Sequence, residues 1–246
     1  MTSTESTPAM ATDPKVILFT DWDGTVTVQD SNDYLTDNLG MGEERRKELN
    51  RLVLEDKVTF RDSFRDMLES IPNTFDDCVD ILARNIDLDP GFKSFYLWAK
   101  ENNVPIVIVS SGMRPIISSL LARLVEPEAA DYIEIIANDV AINPDGSWDI
   151  VFRHPESHFG HDKSVCIKPY AALPNRPMLL YSGDGVSDLS AARETDLLFA
   201  KEKRDLIVYC KKERIPYTEF SSFASIHDTI KSLVNGSLTV DEIANE

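Results

Sequence analysis

A buried strand that ends in two aspartates constrains the fold of this chain more than any other feature. Residues Val16 to Thr20 are apolar or β-branched, and Asp21 and Asp23 follow one residue apart. Because side chains alternate along a strand, the two carboxylates point the same way. Gly24 then lets the chain leave the sheet. The pattern predicts an α/β sheet with two acids at the carboxyl end of a strand, where such sheets place their ligands.

Two neighbouring carboxylates repel each other. A divalent cation relieves that repulsion, and so does a proton kept on one of the groups. Both outcomes suit phosphoryl chemistry, in which one aspartate attacks phosphorus while the other donates and later takes up a proton. An ordinary strand-end turn is the alternative interpretation, since Asp and Gly are common turn residues. The Asp-x-Asp tripeptide therefore indicates a function only in combination with the segments that follow.

Two later strands also end in polar side chains. A strand from Val104 to Val109 runs into Ser110-Ser111-Gly112, and a strand from Met178 to Tyr181 runs into Gly183-Asp184-Gly185-Val186-Ser187-Asp188. The carboxyl ends of parallel strands lie at one edge of a sheet. We therefore expect these three strand ends to meet at one site, provided that the strands are neighbours.

The remaining pattern predicts the domain organisation. Helical periodicity over residues 28–90 predicts about four helices, and the alternation of strands and helices that follows predicts a doubly wound, mostly parallel sheet. We interpret 28–90 as a small α-helical cap inserted after the first strand, and 15–27 with 91–246 as the core domain. Residues 1–14 are rich in Ser, Thr and Pro and predict a disordered tail.

The charge balance excludes some classes of partner. The chain carries 42 acidic and 25 basic residues, a net charge of −17, so nucleic acid and anionic membranes are not expected partners. A phosphate ester would have to be attracted locally, by a metal, a lysine and backbone amides. The three cysteines form no CxxC pair, which favours a reducing cytoplasm. No apolar run reaches transmembrane length.

Taken together, the motifs resemble those of the haloacid dehalogenase superfamily, specifically its phosphatases with a helical cap, similar to phosphoserine phosphatase. The resemblance rests on Asp21-Trp22-Asp23-Gly24-Thr25, on Ser110 after a hydrophobic strand, on a following lysine, and on Gly183 to Asp188. It covers about residues 16–200, in the order that the family has. It implies a Rossmann-like core and hydrolysis of a small-molecule phosphate ester.

The resemblance also implies a magnesium ion and its ligands. Mg²⁺ would be held by the Asp21 carboxylate, the Asp23 backbone carbonyl and Asp184, which are hard oxygen donors of the kind that this ion prefers. Asp188 would act on the metal through water. Asp21 would be the nucleophile that forms an aspartyl-phosphate, and Asp23 would protonate the departing alkoxide and then activate water.

Further catalytic roles follow from the same resemblance. Ser110, the Ser111 N–H and Gly112 would hold the transferring phosphoryl group. The catalytic lysine is predicted to be Lys163, at the start of a helix over about 162–172, with Lys168 as the alternative. Its ammonium would offset the charge of three carboxylates and a phosphate.

Substrate choice in such enzymes resides in the cap and in the segment after the first motif. Here that segment includes Gln29, Asp30 and Asn32, which we predict to contact substrate; the alternative is an N-cap for the first cap helix. Phosphoserine phosphatases place a cap arginine where this chain has Met67, which argues against phosphoserine. The segment Asp196 to Lys201 is similar to the branch that includes the methionine-salvage phosphatase. We therefore favour a small phosphorylated sugar, polyol or related metabolite.

Several alternatives stay open at this point. Asp23 argues against a dehalogenase, because halide leaves without a proton, whereas a phosphomutase or a phosphoserine-type phosphatase shares these motifs. A catalytically inactive binding or regulatory protein is the non-enzyme alternative. His154, His158 and His161 could bind zinc if they lay on one helical face, although Pro155 and Gly160 favour a loop. Nothing in the sequence sets the oligomeric state, and a monomer is possible.

Overall fold

The sheet is organised around its first strand. The computed structural model describes residues 7–243. Within these residues seven strands form one sheet, in the spatial order β4-β3-β2-β1-β5-β6-β7. The strands are β1 Val16–Thr20, β2 Ile106–Met113, β3 Glu134–Ile142, β4 Trp148–Val151, β5 Met178–Gly183, β6 Leu197–Lys201 and β7 Thr218–Phe220.

All neighbouring strands are parallel except β4, which runs antiparallel to β3 at one edge. β1 pairs with β2 on one side, with Thr20 opposite Ile108, and with β5 on the other, with Thr20 opposite Ser182. The sheet therefore extends on both sides of β1. This arrangement opens a crevice at the carboxyl ends of β1, β2 and β5. The prediction of a doubly wound, mostly parallel sheet is confirmed.

Helices cover both faces of the sheet. They are α1 Ser31–Leu39, α2 Glu43–Leu54, α3 Phe60–Glu69, α4 Phe75–Asn85, α5 Phe92–Glu101, α6 Arg114–Leu124, α7 Ala129–Tyr132, α8 Lys163–Ala171, α9 Leu189–Ala192, α10 Asp205–Glu213, α11 Phe223–Val234 and α12 Val240–Ile243. None of these helices is both long and apolar enough to cross a membrane.

The central strand is buried on both faces because the sheet separates two hydrophobic cores. Val16 and Leu18 pack into one core with the helices of the insertion, and Ile17 and Phe19 pack into the other with α8 and α10. This explains why β1 is a continuous apolar run rather than an alternating one.

Four helices, α1 to α4, lie between β1 and α5, as the periodicity predicted. The two chain segments that lead into and out of them pair with each other: Val28 N–H donates to the Asp87 carbonyl and Asp89 N–H donates to the Val26 carbonyl, both at 2.9 Å. The helical insertion is thus joined to the sheet through one short antiparallel bridge. Its assignment as a separate cap domain stays a prediction.

The prediction of a disordered tail over residues 1–14 is wrong for part of that segment. Pro8–Thr12 forms a 3-10 helix, and the Ala9 N–H donates to the Tyr170 hydroxyl at 3.3 Å. Ala9 and Met10 pack against the core beneath α8, and this apolar contact orders a segment whose composition favours disorder. Residues 1–6 lie outside the described residues, as do 244–246 of the predicted acidic tail, whereas Val240–Ile243 is helical.

We expect the buried carboxylate of Asp89 to stabilise the junction between insertion and core. Its Oδ1 accepts from the N–H groups of Gly91 and Phe223, both at 2.9 Å, and its Oδ2 accepts from Lys201 Nζ at 3.0 Å. Asp89→Ala leaves these donors unpaired inside the protein and should lower the free energy of unfolding by about 3–5 kcal/mol, measured by urea titration. The matched control is Asp80→Ala, which breaks the exposed pair with Arg123 and should cost less than about 1 kcal/mol. Equal losses in the two variants would contradict this interpretation.

Candidate active site

The two aspartates after β1 lie at the edge of the sheet and line one cavity. Asp21 is still attached to β5, because its N–H donates to the Ser182 carbonyl at 2.8 Å. The chain then turns sharply at Gly24, which has φ +72°. The carbonyl of Trp22 accepts from three successive N–H groups of this turn, those of residues 25–27. Both carboxylates are buried and face the cavity, as the alternation along the strand predicted.

Lys163 connects the first strand end to the third. Its ammonium lies 2.8 Å from Asp21 Oδ2 and 2.7 Å from Asp188 Oδ1, and the side chain is fully buried. It is the first residue of α8, whose N-terminus is capped by Asp162. Burial by itself lowers the pKa of Lys163, but Asp188 and Asp21 more than reverse this, so the net pKa is raised and the ammonium keeps its charge.

Lys168 lies outside the site. Its side chain is 57% exposed and its Nζ is 4.0 Å from Glu194. The structure therefore brings only the first of the two candidate lysines to the aspartates.

Asp21, Asp184 and Asp188 form a cluster whose oxygen atoms lie within 4.8 Å of one another. Burial raises the pKa of Asp21 to about 7 and that of Asp184 to about 8, against the attraction of Lys163 for Asp21. The surroundings therefore do not fully stabilise the ionised form of these carboxylates. Hard oxygen donors of this kind fit a divalent cation such as Mg²⁺. A Cβ on Gly24 would stand 2.4 Å from Asp184 Oδ2, so a glycine is needed for this approach.

The oxygens of Asp188 are already occupied by donors. Oδ1 accepts from Lys163 and, at 2.6 Å, from the Tyr181 hydroxyl; Oδ2 accepts from the N–H groups of Asp184 and Gly185, both at 3.0 Å. By contrast, the nearest donor to Asp184 is the Thr25 hydroxyl at 3.4 Å. Asp21 is intermediate: its Oδ1 accepts from the Trp22 N–H at 2.7 Å and its Oδ2 faces Lys163, so each oxygen has one donor where each Asp188 oxygen has two. Asp184 and the remaining lone pairs of Asp21 are therefore available to a cation, while Asp188 orients the lysine and the loop.

Asp23 is held by the start of α1. Its Oδ1 accepts from the N–H and the hydroxyl of Ser31, at 2.7 and 2.6 Å, and its Oδ2 accepts from Asn32 Nδ2 at 2.8 Å. Burial raises the pKa of Asp23 well above its usual range, and the negative charges of Asp30 and Asp21 add to this. A fixed carboxyl group that retains its proton next to Asp21 can act as a general acid.

The end of β2 provides the third side of the site, as predicted. Ser110, Ser111 and Gly112 all line the cavity. The Ser110 hydroxyl accepts from the Gly112 N–H at 3.0 Å, which leaves its own proton free to donate. The Ser111 hydroxyl is buried and has no hydrogen-bond partner among residues 7–243. These groups are donors suited to an oxyanion.

Of the three residues predicted to contact substrate, two line the cavity and one does not. Asp30 lines the cavity, but its carboxylate also caps α1 by accepting from the N–H groups of Asn32 and Asp33. Asn32 lines the cavity and contacts Asp23. Gln29 is not part of the cavity: its amide exchanges two hydrogen bonds with Asp87, because the turn before α1 directs it to the return segment of the insertion. The structure therefore does not bring Gln29 to the site.

The insertion contributes the roof of the cavity, which has a volume of about 280 Å³. The sequence analysis did not assign most of these residues, although the helical periodicity of α2 and α3 contained the signal. They line the cavity from α2 or α3 and are Asn50, Val53, Leu54, Phe60, Ser63, Phe64 and Met67. Asp205 and Tyr209 of α10 complete the lining from the core side.

The three histidines do not form a zinc site. His161 Nδ1 lies 2.7 Å from the Ser110 carbonyl oxygen and its Nε2 lies 3.4 Å from Cys166 Sγ. The His154 ring packs beside it, with ring centres 5.3 Å apart, whereas His158 is exposed. Across the described part of the chain, the aspartate cluster is the one group of metal-binding side chains with suitable geometry.

The site combines an Asp-x-Asp strand end, a buried lysine and an acidic loop at the edge of a doubly wound sheet. This combination is typical of one class of hydrolases. The model of the haloacid dehalogenase-like hydrolase family matches residues 18–193. The chain therefore belongs to this family, as the motifs predicted.

Named relatives agree with this assignment. The chain is 50% identical to polyol phosphate phosphatase PYP1 of Saccharomyces cerevisiae over 93% of this chain and 98% of the relative. It is also 50% identical to Pdp3-interacting factor 1 of Schizosaccharomyces pombe, over 91% and 98%. A 2-hydroxy-3-keto-5-methylthiopentenyl-1-phosphate phosphatase of Bacillus cereus is 26% identical, over 88% and 96%. The prediction of a phosphatase is confirmed.

A solved structure shows the same fold. The phosphoserine phosphohydrolase-like protein of Francisella tularensis superposes with a TM-score of 0.65 at 19% identity, over 88% of this chain and 99% of that one. At this identity the likeness concerns the fold alone.

Lys163 and Lys168 can be separated by mutation. Lys163→Ala leaves the carboxylates of Asp21 and Asp188 buried without a counter-charge and should abolish turnover of an aryl phosphate. Lys168→Ala removes an exposed charge and should change kcat/KM by less than about threefold. Circular dichroism and thermal melting would establish that both variants are folded. Equal losses, or the reverse order, would show that Lys163 is not the essential lysine.

Proposed function

We propose that this chain is a magnesium-dependent phosphomonoester hydrolase for a small phosphorylated polyol or sugar, acting through an aspartyl-phosphate on Asp21. The observation that carries the proposal is the position of Asp21, which is buried in the cavity with one oxygen 2.8 Å from the Lys163 ammonium and with Asp23 beside it. Family membership and two relatives named as phosphatases support the reaction class.

In the first step, a carboxylate oxygen of Asp21 attacks phosphorus and the ester P–O bond breaks. Asp23 gives its proton to the departing alkoxide oxygen, so that a neutral alcohol leaves. The Ser110 hydroxyl and the Ser111 N–H donate to the phosphoryl oxygens, and Lys163 offsets their charge. When bound by Asp21, the Asp23 carbonyl and Asp184, Mg²⁺ would supply further neutralisation of the phosphoryl oxygens.

In the second step, water attacks the phosphorus of the aspartyl-phosphate. Asp23, now ionised, takes a proton from that water, the bond between phosphorus and Asp21 breaks, and inorganic phosphate is released. Asp23 regains its proton and Asp21 its carboxylate, so the site returns to its starting state. The raised pKa of Asp23 supports the alternation between acid and base.

The lining of the cavity supports a neutral alcohol as the leaving group. None of the described residues that line it is a lysine or an arginine, and Met67 lies in the roof where phosphoserine phosphatases are expected to have an arginine. A substrate carboxylate or a second phosphate would meet the acids Asp30 and Asp33, because Arg46 lies outside the lining and is already paired with Asp33 and Asp37, both at 2.7 Å. This argues against phosphoserine and against a phosphomutase. Asn50 and Tyr209 offer polar groups to hydroxyls, in line with the polyol phosphatase relative.

Cys78, Cys166 and Cys210 are buried and none of them forms a disulfide, which fits a reducing compartment such as the cytoplasm.

The substrate class can be tested with a panel of phosphomonoesters. We expect kcat/KM to be highest for polyol or sugar phosphates and at least about tenfold lower for phosphoserine, since an unpaired carboxylate in the cavity costs more than 1.4 kcal/mol. The readout is phosphate release with Mg²⁺, with a chelator-treated sample and Asp21→Asn as inactive controls. A highest kcat/KM for phosphoserine or a nucleotide would contradict the proposed substrate, and full activity in chelator would contradict the metal.

The role of Asp23 predicts a dependence on the leaving group. Asp23→Asn should lower kcat/KM for an alkyl phosphate by about 10²–10⁴-fold, and less for p-nitrophenyl phosphate, whose phenolate leaves without a proton. Because the same variant cannot activate water, p-nitrophenol should appear as a burst of one equivalent per enzyme, measured by stopped flow. Asp205→Asn is the matched control, since it removes another cavity carboxylate and should affect both substrates alike. Equal losses for the two substrates in Asp23→Asn would exclude an acid role.

A further inference from the structure

The pairing of β2 becomes irregular where the strand reaches the active site. Val109 still pairs with Ile136 of β3, but the register then shifts, and the next paired residue is Met113. On the other side, the pairing with β1 ends at Ile108. The segment 110–112, which presents its donors to the cavity, is therefore not held by a regular ladder of backbone hydrogen bonds.

Side chains hold this segment instead. His161 Nδ1 lies 2.7 Å from the Ser110 carbonyl oxygen, and Asn138 Nδ2 donates to the Ser111 carbonyl at 2.7 Å. Asn138 is itself fixed, because its Oδ1 accepts from the Arg153 N–H at 2.9 Å. Buried backbone carbonyls need such partners, and here the partners also set the direction of the segment.

The protonation of His161 follows from its surroundings. The ring is 1% exposed, and burial lowers the pKa of His161 to about 3, so the ring is neutral and carries one N–H. The Ser110 carbonyl can only accept, which places that N–H on Nδ1. Nε2 is then an acceptor and faces the Cys166 thiol at 3.4 Å. Both ring nitrogens thus have a defined partner, and the ring has one orientation.

The same short segment also positions the catalytic lysine. His161 comes two residues before Lys163, and Gly160 precedes it with φ +71°. A Cβ on Gly160 would stand 2.3 Å from the ring of Phe152, so this turn depends on a glycine. Residues 160–163 therefore hold the end of β2 through His161 and the nucleophile through Lys163.

We propose that His161 is a positioning residue for the phosphoryl-binding segment: its Nδ1–H fixes the Ser110 carbonyl and so aims the Ser110 hydroxyl and the Ser111 N–H at the transferring phosphoryl group. The inference rests on the proposed function. His161 does not line the cavity, whereas Ser110 does. It acts through Ser110, and its loss should weaken binding of the phosphoryl group whatever alcohol is attached.

The two ring nitrogens can be distinguished with amide side chains. Asn places its NH₂ near the position of Nδ1, whereas Gln reaches toward Nε2. His161→Asn should retain the hydrogen bond to Ser110 and keep kcat/KM for p-nitrophenyl phosphate within about threefold of the parent. His161→Gln and His161→Leu should lower it by roughly 10- to 100-fold, because small misplacements of positioning groups cost this much. Their inhibition constants for inorganic phosphate should rise in parallel.

Thermal melting of each variant separates positioning from stability. The proposal would be supported if His161→Asn kept its activity and phosphate affinity while His161→Gln lost both, with equal melting temperatures in the two variants. Equal impairment of Asn and Gln, or unchanged phosphate inhibition in Gln and Leu, would overturn it. His227→Gln is the matched control, since His227 is a partly buried histidine that packs on Trp98, far from the cavity, and this variant should behave as the parent does.

The aryl phosphate keeps this test separate from the substrate assignment. A parent protein that hydrolyses the aryl ester but no polyol phosphate overturns the proposed substrate and leaves the role of His161 to be judged by the Asn and Gln variants. A parent protein that hydrolyses no phosphate ester overturns the proposed function and, with it, this inference.

Discussion

The structure of the site depends on one buried ammonium group between two carboxylates. Lys163 is fully buried and lies within 2.8 Å of both Asp21 and Asp188. A buried charge is stable only when it is paired and its remaining hydrogen-bonding capacity is satisfied. Asp188 meets that condition with four donors: the lysine, the Tyr181 hydroxyl and two N–H groups of the acidic loop. Asp21, the proposed nucleophile, is therefore oriented by a network that extends from β5 to α8.

This network requires the strand order that the sheet has. β1 lies between β2 and β5, so the ends of all three strands reach one crevice, and α8 reaches the same crevice because it immediately precedes β5. The insertion covers this crevice since it leaves the chain directly after Asp23 and returns before α5. Ser31 and Asn32, the first residues of α1, contact Asp23 itself. Asp23, the proposed proton donor, is thus positioned by the insertion that also forms the roof of the cavity.

The sequence was sufficient for the parts of the site that depend on local pattern. The apolar residues of β1, β2 and β5 identify these strands in the sequence. The site residues at or just after their ends are Asp21, Asp23, Ser110, Asp184 and Asp188, and the parallel sheet brings these strand ends together. Contacts between distant segments could not be read in this way. The bond between His161 and the Ser110 carbonyl joins residues 51 apart, and the packing of Ala9 and Met10 beneath α8 orders a segment whose composition favours disorder. The position of Gln29 is a related case: its polar character predicted a ligand contact, but residue type does not reveal that Asp87 is the partner.

The charges around the cavity explain how so acidic a protein can accept a phosphate ester. Asp21, Asp184 and Asp188 when ionised carry three negative charges, and Lys163 is the one buried cation paired with them; Arg204 lies 3.8 Å from Asp184 but is about half exposed, so water screens its charge. Burial is the main reason that the pKa is raised to about 7 for Asp21 and to about 8 for Asp184, and the neighbouring carboxylates add to it. A divalent cation at these oxygens would balance the cluster, whereas a lysine or arginine in the cavity would also attract carboxylate-bearing competitors. The roof formed by Val53, Phe64, Met67 and their neighbours offers a ligand shape and uncharged groups rather than a cation, which is why we propose that selection among phosphate esters falls to the shape and hydroxyl groups of a neutral alcohol.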